Sequence, residues 1–294
     1  MFRAGAKGRE IARELGIPKS TVNDFLQRHR PKTEGEEGAK ILVYDIETAP
    51  GTAFYWNRFD KYIPQERVIS FPGNVLTWSA KWLGSDHVMN DTSLIYGDPT
   101  DDFGVCESLW HLLDEADIIV AHNGDRFDVK KMNTRWLDHG IPEPSPYRSV
   151  DTYKIAKRKF GFDSNRLNDI AEYLGLGAKY KHEGFSMWER CLKGDASAFR
   201  EMVKYNDQDV LLLEQVYLRM RGWDHLHPNL GTYDTSEMVC PNCGSDDVEK
   251  TAKREHKQGG SYEVYSCNGC GKFSRIRTQS AAANSKAPYL VPSR

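Results

Sequence analysis

Two carboxylates one residue apart close an apolar run, ILVYDIET at 41–48. Ile41, Leu42, Val43 and Tyr44 have the unbroken hydrophobicity of a buried central strand. Alternation along a strand puts Asp45 and Glu47 on one face and turns Ile46 to the other. Like charges about 4 Å apart repel by about 4 kcal/mol at an effective dielectric near 20. Such a pair therefore needs a proton on one member or a cation between the two. Two more acids stand in similar settings. VAHNGDRFDVKKM (120–132) leaves an apolar strand and enters a helix, with Asp128 in its first turn. KYNDQDVLLL (204–213) places Tyr205 and Asp209 four residues apart on one helix face, with Leu212 and Val216 continuing that stripe toward the core. Asp207 projects about 200° away from Asp209 and is expected to face solvent.

Helices packed on a sheet can bring Asp128 and Asp209 over the strand that carries Asp45 and Glu47. Four converging carboxylates call for hard divalent cations with oxygen ligands, Mg²⁺ or Mn²⁺. Two such ions about 4 Å apart activate a water and stabilise the leaving oxygen of a phosphodiester. Each residue also has a purely structural reading. Asp45 and Glu47 read as one solvated acid and one capping acid, Asp128 as a first-turn acid complementing the helix dipole, and Tyr205 as a core tyrosine. Asp125 reads as the helix N-cap, and His122 simply follows its strand.

The elements that must position these residues are legible from periodicity. KILVYDI, NVLTWSAKWLG and HVMNDTSLIYG read as strands joined by turns, and DIIVAHN as a short strand. FGVCESLWHLLDEA has helical spacing. RFDVKKMNTRWLDHG reads as a helix ending at Gly140, with Val129, Met132 and Trp136 along one stripe. DSNRLNDIAEYLGLG is a further helix, closed by Gly175 and Gly177, and residues 195–220 form the longest one. Hairpin strands followed by strand–helix alternation predict a mixed sheet with helices packed on it.

DIET (45–48), HNGDRFD (122–128) and YNDQD (205–209) resemble, in order and context, the three motifs of the DEDD 3′→5′ exonuclease superfamily. Tyr205, four residues before Asp209, resembles the tyrosine branch, which includes proofreading domains of family B DNA polymerases. The histidine branch would want His where Lys204 stands. SVDTYKIAKRKF and RLNDIAEYLGLG are similar to the stretch between the second and third motifs, so the resemblance spans about 180 residues. It implies a ribonuclease-H-like α/β fold, a mixed five-stranded sheet flanked by helices. It also implies that Asp45 bridges two Mg²⁺ or Mn²⁺ ions, that Glu47 and Asp209 complete one site, and that Asp128 holds the second ion largely through water. Tyr205 would orient or help deprotonate the attacking water. Asn123 and Phe127 would support the second motif beside the substrate, and Thr48 would pack on the terminal nucleotide. The implied reaction is hydrolysis of a terminal phosphodiester with release of nucleoside 5′-monophosphates. KRKF (157–160) and KYKH (179–182) set cations beside aromatics that can grip phosphates and stack bases, or form solvated surface. The aromatic segment from Gly51 to Pro72 follows the first motif.

Flanking modules are expected on both sides of a core at 41–222. CPNCG (240–244) and CNGCG (267–271) are two Cys-x-x-Cys knuckles with 23 residues between them. Cys240, Cys243, Cys267 and Cys270 predict one structural Zn²⁺ in a zinc ribbon over 238–279, with disulfides as the alternative. Its basic runs at 250–257 and 272–277 point to nucleic-acid contact, with protein docking next. Cys106 and Cys191 read as buried thiols. Residues 1–30 contain a helix-turn-helix-like stretch, GREIARELGIPKSTVNDFLQRHR at 8–30, offering Lys19, Ser20, Thr21 and Asn23 to a major groove or serving as a protein-contact arm. Residues 31–40 and 223–237 read as linkers and 280–294 as a disordered tail.

The net charge of −2 conceals an asymmetry. Residues 1–32 carry eight Lys and Arg against three acids, and 236–294 carry nine against six, while the middle carries 23 against 33. Basic ends suit polyanions, and an acidic centre suits cations. No run is long and apolar enough for a membrane helix and no signal-peptide pattern opens the chain, which predicts a cytoplasmic protein with no membrane partner. The expected partners are DNA, single-stranded or at 3′ ends, then RNA, and a replication or repair protein of a bacterium or phage. A transposase or integrase also combines these modules, but generally lacks Glu two residues after the first Asp and the final Tyr-x-x-x-Asp. A non-catalytic nucleic-acid binder would have no need of all four acids and the tyrosine.

Overall fold

The computed structural model describes residues 38–57, 62–70, 73–177, 183–233, 238–257, 260–278 and 291–292. The helix-turn-helix-like stretch at 8–30, the KYKH run at 179–182 and the tail over 280–290 lie outside the described residues. The chain divides into a unit over Ile41–Tyr217 and a second that takes in residues from Leu218 onward.

In the first unit the apolar run forms β1 (Ile41–Thr48) at the centre of a five-stranded sheet. β1 pairs antiparallel with β4 (Val75–Trp82) and parallel with β6 (Ile118–Ala121). β5 (Met89–Thr92) and β7 (Arg148–Asp151) complete the order β5-β4-β1-β6-β7. A small ribbon of β2 (Thr52–Ala53) and β3 (Val68–Ser70) branches off after β1. Phe54, Tyr55, Trp56 and Tyr62, in and beside its connection, are exposed. The strand expected over 87–97 is shorter than its sequence pattern. Ser93–Tyr96 turns into a 3₁₀ segment that ends at Gly97, whose φ of 96° suits only glycine. Tyr96 is held there by donating its hydroxyl to Asp91 Oδ2 at 2.7 Å.

Among the described residues, six helices accompany the sheet: α1 (Phe103–Glu115), α2 (Asp128–Asp138), α3 (Thr152–Lys159), α4 (Leu167–Tyr173), α5 (Ser186–Leu192) and α6 (Ala196–Met220). Leu42, Tyr44 and Ile46 share a core with Leu109 and Trp110 of α1 and Met132 and Trp136 of α2. Trp136 locks the two helices together by donating Nε1–H to Cys106 O at 3.0 Å. Leu76 of β4 shares an apolar cluster with Phe199, Met202 and Tyr205 of α6, and polar groups tie this helix to the sheet as well. Ser79 Oγ donates to Asp207 Oδ1 at 2.6 Å, and Lys81, buried on β4, forms an ion pair with Glu214. Asp207 also accepts from Asn90 Nδ2 at 3.1 Å. The expectation that Asp207 faces solvent is thereby corrected: it is the residue that clamps α6 to β4 and β5. Cys106 and Cys191 are buried thiols.

In the second unit β8 (Val248–Lys257), β9 (Gly260–Cys267), β10 (Phe273–Arg277) and β11 (Val291–Pro292) form an antiparallel sheet in the order β11-β10-β9-β8. Each Cys-x-x-Cys knuckle closes with the glycine amide returning to the first cysteine carbonyl: Gly244 to Cys240 at 2.9 Å and Gly271 to Cys267 at 2.8 Å. Both glycines sit at positive φ, 77° and 70°. Cys240 and Cys270 bring their sulfurs to 3.7 Å, and Cys243 and Cys267 to 3.6 Å. A tetrahedron of zinc–thiolate bonds near 2.3 Å has edges of about 3.8 Å, so the four thiols are spaced as a zinc ribbon requires. Residues 223–233, expected as linker, fold into this unit. Leu230 is buried and its amide donates to Pro241 O at 2.8 Å, while the Lys272 ammonium donates to Gly222 O. Leu230 and His227, both buried, supply core that so short a sheet lacks by itself. Among the described residues, no helix is long and apolar enough to cross a membrane.

Candidate active site

Asp45 and Glu47 project together from β1, opposite Ser79 and Thr77 of β4, while Ile46 between them is buried on the other side. The ladder slips just after Glu47, a bulge that ends regular pairing at the site's edge. Asp128 reaches the same place from β6. The turn after Ala121 passes through Asn123 at φ 63° and Gly124, where a Cβ would stand 2.4 Å from the Ala121 side chain. Only glycine permits that approach. The chain then enters α2 with Asp128 as its first residue, 2% exposed. Ile46 N donates to Asp128 Oδ1 at 3.3 Å, so the backbone between Asp45 and Glu47 holds the third acid. Burial pushes the Asp128 carboxyl well above the usual range; its own amide and that of Ile46 oppose this, and the Asp151 charge adds to it.

Asp125, expected as N-cap, does not cap α2. Its carboxylate pairs with Lys154 Nζ at 2.7 Å and accepts from Ser149, while Phe127 takes the cap position without a side-chain bond. A capping acid appears instead at Asp151, which accepts from Tyr153 N and Lys154 N at the start of α3 and from Asn123 N at 2.9 Å. It thus fixes the strained turn that delivers Asp128.

Tyr205 and Asp209 come from α6. The tyrosine hydroxyl hydrogen-bonds the Asp209 carboxylate, and its ring meets Trp188 edge-on at 6.2 Å. Burial, followed by the charges of Asp209, Glu47 and Asp45, pushes the phenol far above its ordinary value. Between them lies Asn206, fully buried. With its amide oriented to satisfy both ends, its nitrogen donates to Asp45 Oδ2 at 2.9 Å and its oxygen accepts from Ser79 N at 3.2 Å.

Asp45, Glu47, Asp128, Tyr205 and Asp209 all line one cavity of about 640 Å³, together with Asn123 and Phe127. Thr48 is not among the residues lining it. Arg126 and Arg166 line its exposed rim, and His122 stands in its wall, facing Thr152 Oγ1 and Asn165 O at 2.9 Å each. Sequence reasoning missed Asn206, Arg126 and Arg166. All three fall inside or beside the quoted motifs, but nothing in their type or spacing distinguishes them from solvated polar residues. Among the described residues, ligand atoms lie within 4.8 Å of one another in two sets, the four cysteines and Asp102 with Cys106 and His139. No three of the cavity acids meet that spacing. The Asp102 set is no metal centre, because Arg135 already holds that carboxylate from two nitrogens, at 2.8 and 2.6 Å.

A family model described as the RNase_H superfamily (RNase_H_2) matches residues 81–221. The fold is ribonuclease-H-like. That match takes in Asn123, Phe127, Asp128, Tyr205 and Asp209 and leaves out β1 with Asp45 and Glu47. A DNA polymerase III PolC-type protein of Pediococcus pentosaceus is 28% identical over 194 residues, covering 61% of this chain. The chain spans 13% of that relative's length. Among solved structures, the family B DNA polymerase of the hyperthermophilic archaeon Pyrobaculum calidifontis aligns with a TM-score of 0.45 at 15% identity, over 77% of this chain and 32% of that one.

Proposed function

We propose that this chain is a divalent-metal-dependent 3′→5′ exonuclease that removes nucleoside 5′-monophosphates from DNA ends, with RNA as the alternative substrate. The observation that carries this reading is the convergence of four carboxylates and one tyrosine, from β1, α2 and α6, in a single cavity. Likeness to a protein named as a DNA polymerase supports DNA as substrate and a replication protein as partner. Asp45, Glu47, Asp128 and Asp209 fit two Mg²⁺ or Mn²⁺ ions: they are hard anionic oxygen donors, two of them buried, and the cationic side chains of the lining are confined to the exposed rim. Such ions, when bound, activate water and stabilise the leaving oxygen.

The chain's own residues do the positioning. Asn206 holds Asp45, and Ile46 N holds Asp128. Burial and the neighbouring carboxylates favour the protonated phenol of Tyr205, so its hydroxyl donates to Asp209 while its oxygen accepts from the attacking water and orients it. Phe127, 42% exposed, offers a face to the terminal base, and Arg126 and Arg166 meet the substrate phosphates. Cys240, Cys243, Cys267 and Cys270 would hold a structural Zn²⁺ with no open position. With Mg²⁺, 5′-labelled single-stranded DNA should shorten progressively from its 3′ end, and EDTA or Asp45→Ala should abolish the ladder. Internal nicks without 3′ trimming would overturn the assignment. Calorimetric titration with Mn²⁺ should lose binding in Asp45→Ala independently of any turnover.

A further inference from the structure

The second unit carries a groove of about 650 Å³ whose lining differs in kind from the acidic cavity. Trp223, from the segment after α6, and Phe273, at the start of β10, are 65% and 46% exposed. Lys253, Arg254 and Lys272 line the same groove, and the Lys253 ammonium stands 5.9 Å over the Phe273 ring. Glu255 is the acid in the lining, and Arg275 neutralises it at 2.6 Å. Lys250, from the same basic run, is paired with Glu263 at 2.6 Å. The lining therefore sets the cations of Lys253, Arg254 and Lys272, the last also donating to Gly222 O, beside two exposed rings.

A ligand that matches this surface must present anionic groups with flat π faces between them. Duplex nucleic acid hides its base faces, an anionic lipid has none, and an acidic peptide has them only where it carries aromatic side chains. We propose that the groove binds single-stranded nucleic acid, with bases stacked on Trp223 and Phe273 and phosphates met by Lys253, Arg254 and Lys272. It binds whether or not the acidic cavity cleaves, and it gives the zinc module the task of retaining a strand.

The test uses the full-length, zinc-loaded chain carrying Asp45→Ala, so that cleavage plays no part. Fluorescence anisotropy compares oligo(dT), oligo(U) and a duplex of equal length. Single strands should bind more tightly than the duplex, and preference between the two oligomers reads the sugar. Trp223→Ala with Phe273→Ala should weaken single-strand binding about tenfold or more, with zinc content unchanged. Lys253→Glu with Arg254→Glu should flatten the salt dependence by about 0.7 per lost phosphate contact. Near-ultraviolet cross-linking of 4-thiothymidine-substituted oligonucleotide to the unaltered groove should label peptides containing Trp223 or Phe273. Duplex binding as tight as single-strand binding, unchanged affinity in a zinc-retaining aromatic variant, or cross-links confined to 41–217 would each overturn the proposal.

Discussion

Asn206 and Asp45, 161 residues apart, are joined by a hydrogen bond at 2.9 Å, from the reoriented amide to Oδ2, that ties the third motif to the first. The asparagine spans two strands, because its other amide atom takes Ser79 N from β4, the residue paired with Asp45 in the ladder. A residue of α6 therefore helps to set the Asp45 rotamer. Groups that orient metal-binding carboxylates in this way change metal affinity or activity by about 10- to 100-fold when removed. Asn206→Ala should weaken Mn²⁺ binding within that range while the far-ultraviolet circular dichroism stays unchanged. Calorimetry showing wild-type affinity would mean that Asp45 is held by other contacts.

Gly124 is the tightest point of the second motif. Replacing it with alanine drives a methyl against Ala121, and an overpacked site of this kind costs about 1–3 kcal/mol. Backbone relief can come only by moving the turn, and with it Asp128. Gly124→Ala should therefore lower the melting temperature and suppress hydrolysis together. Gly161→Ala, where nothing lies within 4 Å of the added carbon, should change neither. Equal behaviour of the two variants would remove the steric account.

Much of this geometry was readable beforehand. The apolar flank of Asp45, the period of α6 and the order of three motifs gave the strand, the helix and the cavity acids, because each depends on local side-chain alternation. What the sequence concealed depends on partners far along the chain. Asp207 shares its type and neighbourhood with solvated acids, and only the register of β4 and β5 brings Ser79 and Asn90 to it. Asp125 has the composition of an N-cap, but Lys154 and Ser149 claim its carboxylate. The stretch 223–233 looks like a linker by its one proline and one glycine, yet Leu230 and Pro241 pair it with the first knuckle.

Tyr205 tests whether the site uses a phenolate. Burial and three neighbouring carboxylates hold its proton on well above pH 10, so no tyrosine ionisation should enter the pH–rate profile between neutrality and pH 9. Tyr205→Phe should slow hydrolysis about 10- to 100-fold through loss of orientation. The shape of the profile and the Mn²⁺ affinity should stay as they are. A new alkaline limb present in the wild type and absent from Tyr205→Phe would show that the tyrosine ionises after all.

Asp102 makes the fold sensitive to acid. It is buried where β4, α1 and α2 meet, accepts from Val75 N at 2.8 Å and lies against Arg135, His139 and Cys106. Burial by itself would raise its carboxyl, but the Arg135 guanidinium, the Val75 amide and His139 outweigh it and hold the group at about 2. An unfolded aspartate titrates near 3.9. A depressed folded value means that the contribution to stability is complete above about pH 4 and lost as the pH falls toward 2. Urea midpoints taken between pH 5 and pH 2.5 should fall more steeply for the wild type than for Asp102→Asn. Arg135→Met, which strands the carboxylate, should cost about 3–5 kcal/mol at neutral pH. Parallel acid slopes for the wild type and Asp102→Asn would show that the junction gains nothing from this charge.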